Sequence, residues 1–189
     1  MPFLYFGTVF IGGLFYPGYN HVTQYASELG SAQALYPWIF NLGMLLVGVT
    51  GVAGGVGIAR AAATLGGRRF TGMLAGFCLA VFGVSTLMAA SFPMPDPRHG
   101  AFGMGMAIQL APFALAASIW NLRAMQGLKT FLIVIGVAML AMLAVMMGAG
   151  NIVRRANVGL FQRIYALTSF PWIAIAGIIL ARRLRNIDT

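Results

Sequence analysis

Charge is what this chain has least of. Only 8% of its 189 residues are Asp, Glu, Lys or Arg, against about a quarter in soluble domains, and that excludes an ordinary water-soluble enzyme. Acids are scarcest: three stand against twelve Lys and Arg, for a formal charge of +9. In a soluble chain such a surplus would suggest nucleic acid. Here the basic residues sit in short segments between apolar runs, so they read as determinants of membrane topology and nucleic acid is not expected. The one cysteine, Cys78, lies inside an apolar run, which excludes a disulfide framework and a cysteine-based metal site. HExxH, GxSxG, P-loop, Rossmann and zinc-finger spacings are all missing. The alternating segments of about ten residues that a membrane β-barrel needs are missing too.

What the chain does have is apolar length. Hydrophobic residues make up 60% of it and the mean hydropathy is +0.86. Crossing a bilayer takes roughly 17–25 apolar residues, and six such runs are read at about 3–19, 35–59, 70–92, 100–121, 130–150 and 158–181. They are apolar nearly all round, as membrane helices are. The expected fold is therefore all-α: a polytopic transmembrane helix bundle of about six spans, forming one integral membrane domain over 1–189. The first run is short and broken by Gly12, Gly13 and Pro17. It lacks the basic start and small-residue cleavage site of a secretory signal, so it reads as a span.

Eight of the twelve basic residues fall on one side of this arrangement: Arg60, Arg68, Arg69, Arg123, Lys129, Arg182, Arg183 and Arg185. The other side holds Arg98, Arg154, Arg155 and Arg163. That bias assigns both termini to the cytoplasm, in a plasma membrane of the bacterial inner type. The pairs Gly51/Gly55 and Gly72/Gly76 have the small-xxx-small spacing that lets helix backbones approach, within one chain or between copies. Pro112 and Pro171 should kink spans four and six. Met139, Met142, Met146 and Met147 read as gap-filling side chains of span five rather than copper or haem ligands.

Polar residues are few enough to follow singly. After the first run, Asn20 is a helix N-cap candidate and Gly30 a stop. Between them His21, Gln24, Tyr25 and Glu28 have the i, i+3, i+4, i+7 spacing of one helical face, which predicts a short interfacial helix over 20–29 turned onto the bundle. In the next outer segment Asp96 precedes Pro97, a helix-start signal, and puts His99 in a first turn where neutral imidazole is favoured. Gln162 and Arg163 lie just inside the last run. An arginine at that depth should face the bundle, a cavity or a partner, and Glu28 is the acid expected to pair with it. Both histidines and two of the three acids thus collect at one membrane face.

These residues resemble a known group. SELG at 27–30, FN at 40–41, FP at 92–93, the Asp-Pro-x-His of 96–99, and VGLFQRI at 158–164 with Pro171-Trp172 after it are similar, in order and spacing, to bacterial membrane proteins grouped as domain of unknown function 998. The resemblance covers about residues 17–183. It implies a multi-spanning architecture and marks the same polar positions, and it carries no established activity.

Three functions fit the sequence. The first is a non-catalytic binder of an anionic lipid headgroup, or of a membrane partner or second copy, at the extracytoplasmic polar site. Gln24, Tyr25, Gln162 and Arg163 are its binding candidates, and arginine suits phosphate because its planar fork donates two hydrogen bonds. The second is a membrane-embedded hydrolase or other lipid-modifying enzyme using His21, Glu28, Asp96 and His99 as acid–base groups. Those four are also the candidate ligands for zinc, although no metal is favoured and no cofactor is expected. The third is a small-molecule transporter. Its midplane candidates are Asn41, Ser85, Thr86, Gln109, Thr168 and Ser169, all neutral and equally explained by inter-helix hydrogen bonds.

Overall fold

In the computed structural model, which describes residues 1–186, the chain is helical throughout and has no strand. Helix α1 is Pro2–Leu14, α2 Pro37–Thr64 and α3 Arg69–Ser91. A 3-10 stretch, Pro97–Gln109, leads into the short α4, Ala111–Ser118. Then come α5, Gln126–Met146, and a last span in two pieces, α6 Val158–Ser169 and α7 Pro171–Arg185. Five stretches are long and apolar enough to cross a bilayer: Pro37–Thr64, Arg69–Ser91, Pro97–Ser118, Arg123–Met146 and Val158–Arg185. The chain is a multi-pass helical membrane protein.

The first expected span is corrected. Helix α1 has 13 residues, about 20 Å at 1.5 Å each, against a hydrocarbon core of about 30 Å. It stops because Phe15 and Tyr16 donate back only three residues, to Gly12 and Gly13, and Pro17 offers no N–H to continue the ladder. Its partners show how far it reaches. Gly12 packs on Leu29 and Phe40, Gly43 on Thr8, and Gly51 on Met1. Helix α1 therefore runs along only one half of α2, with Met1 at mid-depth. Of the two expected kinks one is present: span six breaks at Phe170, one residue before Pro171. Pro112 instead lies in the first turn of α4, where proline interrupts no ladder, and the irregularity of span four, left-handed backbone at Ala101, Phe102 and Gly103, lies nearer its start.

The glycine pairs close the bundle from within. A Cβ on Gly55 would meet the Gly76 carbonyl at 2.4 Å, and one on Gly76 the Gly55 carbonyl at the same distance. Gly51 and Gly83 touch in the same seam, so α2 and α3 pack backbone to backbone. At one end the α2–α3 turn is tied to α4: Arg68 N–H donates to the Ser118 carbonyl at 2.9 Å and the Ser118 hydroxyl to the Arg68 carbonyl at 3.0 Å. Lys129, expected in a loop at this end, is buried on α5 with Nζ on the Trp120 carbonyl at 2.8 Å. At mid-depth an aromatic cluster joins α1 to the break in span six, with Tyr5 stacked on Phe170 at 4.3 Å and Phe82 edge-on to it.

Candidate functional site

The end of the bundle opposite the arginine-rich turns gathers three loops: 15–36, 92–96 and 147–157. The first does not form the expected helix over 20–29. It forms two turns, each closed by its own side chain. Asn20 Oδ1 accepts from Val22 N–H at 2.8 Å, while Gln24 Oε1 accepts from Asn20 N–H at 2.8 Å. Tyr25 then extends the backbone, and Glu28 Oε1 accepts from Tyr25 N–H at 2.7 Å, opening a 3-10 helix over Ala26–Gly30. Local side-chain bonds of this kind compete with a continuous helix and here prevail. The four residues expected on one buried face are therefore split. His21 and Tyr25 are exposed, and Gln24 and Glu28 half-buried.

This strap is bonded onto the start of α6. Leu160 N–H, one of the donors a helix N-terminus leaves free, is taken by the Val22 carbonyl at 2.9 Å. Ala26 N–H donates to Gln162 Oε1 at 2.7 Å. Arg163 Nη1 donates to the Gln24 carbonyl at 2.7 Å and to the Gly159 carbonyl at 2.9 Å, and Nη2 donates to the Tyr19 hydroxyl. Gly159 permits the approach, because a Cβ there would stand 2.3 Å from the Gln24 carbonyl oxygen.

The expected Arg163–Glu28 ion pair is not formed. Glu28 has both oxygens engaged within the strap, the second accepting from Gln24 Nε2 at 2.9 Å, and Arg163 is held by neutral acceptors. The one ion pair among the described residues is Arg98–Asp96, at 2.7 Å. There Asp96 does cap its helix as expected, accepting from Arg98 N–H at 2.8 Å. The same carboxylate takes the Arg98 guanidinium, and these bonds hold its pKa down at about 2. Arg98 in turn lies 3.8 Å above the Phe92 ring. Across the site, partial burial of the ring and then the Arg163 charge lower the His21 pKa from its ordinary value. Burial raises that of Tyr19 against the opposing Arg163 charge.

His99 is fixed by α3. Its Nδ1 lies 3.0 Å from both the Ala89 and the Phe92 carbonyls. Two acceptors require that Nδ1 carry the proton, which leaves Nε2 as the ring's acceptor. His99 lines a cavity of about 100 Å³ together with Ser27, Gln162, Tyr5 and Phe40. The Ser27 hydroxyl donates to Met94 Sδ at 3.1 Å, a weak acceptor. His21, Glu28, Asp96 and His99 do not converge, and among the described residues no group of three or more His, Cys, Asp or Glu could hold a metal ion.

A wider cavity, about 410 Å³, opens on the far side of Tyr25. Met146, Met147, Val153 and Val158 form its apolar walls, and Arg154 and Arg155 its charge. Neither arginine has an ion-pair partner among the described residues. The loop that carries them is shaped by Asn157, whose Oδ1 accepts from Arg154 N–H at 2.7 Å and whose Nδ2 donates to the Ile152 carbonyl at 3.0 Å. The sequence reading counted this charge without locating its cavity, and it missed Tyr19 and Gly159 as anchors of the strap. The signal for Gly159 was its place one residue inside a helix start.

The motifs quoted above, Pro171-Trp172 apart, thus meet at one end. Glu28 closes the strap, and Gly30 packs against Asn41, whose Nδ2 donates to its carbonyl at 3.0 Å. Asp96 caps, His99 clamps the end of α3, and Gly159, Gln162 and Arg163 receive the strap. No curated protein and no solved structure matches the chain. A family model, described as protein of unknown function (DUF998), matches residues 1–179, from α1 to well within α7, and the chain belongs to that family.

Proposed function

We propose that this protein is a non-catalytic binder of an anionic lipid headgroup, held by Arg154 and Arg155 in the cavity beside Tyr25. The observation that carries the reading is two guanidinium groups, without an ion-pair partner among the described residues, above apolar methionine and valine walls. The volume lies in the range of ordinary ligand sites, about 300–1,000 Å³. Phosphate would take the arginine forks and the first methylenes of the lipid the apolar walls. The test is native mass spectrometry of protein extracted from bilayers of phosphatidylcholine with phosphatidylglycerol. Retained phosphatidylglycerol is expected, with at least tenfold weaker retention after Arg154→Gln/Arg155→Gln, since charge-assisted hydrogen bonds contribute about 1.5–3 kcal/mol each. Equal retention by the double variant overturns the reading.

The site is assigned to the extracytoplasmic face of a bacterial inner membrane, and both termini to the cytoplasmic side, on the Lys/Arg bias. Single cysteines at the exposed positions Ala32 and Asn151 are expected to react with an impermeant maleimide added to intact cells, and those at Gly66 and Gln126 only after lysis. The reverse pattern inverts the orientation.

A second reading, a serine-dependent lipid hydrolase, is favoured by one observation: Ser27 shares its cavity with a histidine whose Nδ1–H is fixed and whose Nε2 is an acceptor. A fluorophosphonate probe would then label Ser27, and labelling would vanish in both Ser27→Ala and His99→Gln. An unlabelled wild-type protein removes this reading.

A further inference from the structure

Three side chains near the break in span six are almost wholly buried and hold polar atoms with no hydrogen-bond partner among the described residues. They are Gln109 at 3% exposure, Ser169 at 2% and Trp172 at 1%, through Oε1, Oγ and Nε1. Gln109 Nε2 donates to the Tyr165 hydroxyl, so its amide is already oriented. Tyr165, Ser169 and Trp172 follow one another at spacings of four and three and share a face across the break, because Phe170 keeps right-handed helical backbone, and Ser169 lies beside the same phenol. Tryptophan side chains lean toward the helix N-terminus, here over the turn that carries Ser169. Pro171 adds to the shortage, because it supplies no N–H to the Leu167 carbonyl four residues before it. In a bilayer no outside solvent reaches this depth, and freed groups in a broken helix are satisfied by neighbouring side chains or ordered water.

We propose that the break in span six is a hydrated site in which one or two water molecules bridge Gln109 Oε1, Ser169 Oγ and Trp172 Nε1. The chemistry of the three atoms selects the occupant. The indole N–H can only donate and the amide oxygen can only accept, while the hydroxyl does both. An anion would leave Gln109 Oε1 unmet, and a cation would be repelled by the indole N–H. Water accepts from the one and donates to the other, and buried waters characteristically make about three such bonds. The site is independent of the lipid cavity at the end of the bundle.

The test uses the full chain with ¹⁵N-labelled tryptophan and arginine in liposomes and solid-state NMR with magnetisation transferred from water. The Trp172 indole signal is assigned as the one missing from Trp172→Phe. The proposal expects transfer to the Trp172 indole in the wild type, and its loss in Ser169→Ala and in Gln109→Leu while exposed arginine side chains keep theirs. A Trp172 indole that receives no transfer in the wild type overturns the proposal. So does transfer that is undiminished in both variants, because the water would then not be the bridging one. The wild-type measurement stands if either variant fails to fold.

Discussion

Gly159→Ala is expected to detach the strap over residues 19–26 and to lower the melting temperature in detergent by on the order of 10 °C. The added methyl carbon would lie 2.3 Å from the Gln24 carbonyl oxygen, 2.6 Å from that of His21 and 2.9 Å from the Gln24 nitrogen. All three are backbone atoms, so no rotamer change relieves the clash. Overpacking typically costs about 1–3 kcal/mol. As the strap lifts, the bonds from Leu160 N–H and Arg163 Nη1 to its carbonyls are lost, which adds about 2–3 kcal/mol. A loss of about 3–6 kcal/mol corresponds to roughly 6–24 °C at this chain length. Limited proteolysis within residues 20–24 should accelerate in the same variant. A melting temperature equal to wild type, with unchanged proteolysis, would show that the strap does not rest on α6 as described.

Arg163→Ala should destabilise the protein by about 3 kcal/mol, and Arg163→Lys should recover little of it. The guanidinium reaches the Gln24 and Gly159 carbonyls through one nitrogen and the Tyr19 hydroxyl through another. A lysine ammonium carries the same charge but cannot present that fork. The comparison therefore separates charge from geometry. Glu28→Gln is expected to cost less, about 1 kcal/mol, since the amide oxygen can still accept from Tyr25 N–H and only the bond from Gln24 Nε2 is lost, the new NH2 being a donor. Equilibrium unfolding of the three variants would decide it. Wild-type stability in Arg163→Lys would mean that the positive charge alone matters, and a counter-charge would then have to be sought.

Five of the six expected spans could be read from the sequence because hydrocarbon thickness imposes a length that composition alone reports. The Asp96 cap was readable because Asp-Pro is a local signal with a local cause. That Glu28, Asp96, His99, Gln162 and Arg163 share one end followed from counting spans. The strap was not readable. Its spacing of polar residues suits a helical face, yet it equally suits two successive turns in which Gln24 and Glu28 each bond a backbone N–H three or four residues earlier. Nor could the partners of Arg163 be deduced, because carbonyl groups occur at every position and leave no trace in the residue alphabet. Pairing it with Glu28 assumed that a buried cation seeks an acid, whereas three neutral acceptors were closer to hand.

The half-length of α1 gives the molecule a taper. A plane through the loop-rich half of the bundle cuts α1, α2, α3, the 3-10 stretch of span four, α5 and α6, while one through the arginine-rich half cuts α2, α3, α4, α5 and α7. One leaflet must therefore part around six helical sections and the other around five. In the narrower half, directly beyond Met1, the space beside α2 is an apolar groove of about 280 Å³ formed with α7 at Gly54, Gly57, Gly177 and Ala181. The bundle thus turns one helical section fewer toward that leaflet, with an apolar notch where the sixth would stand.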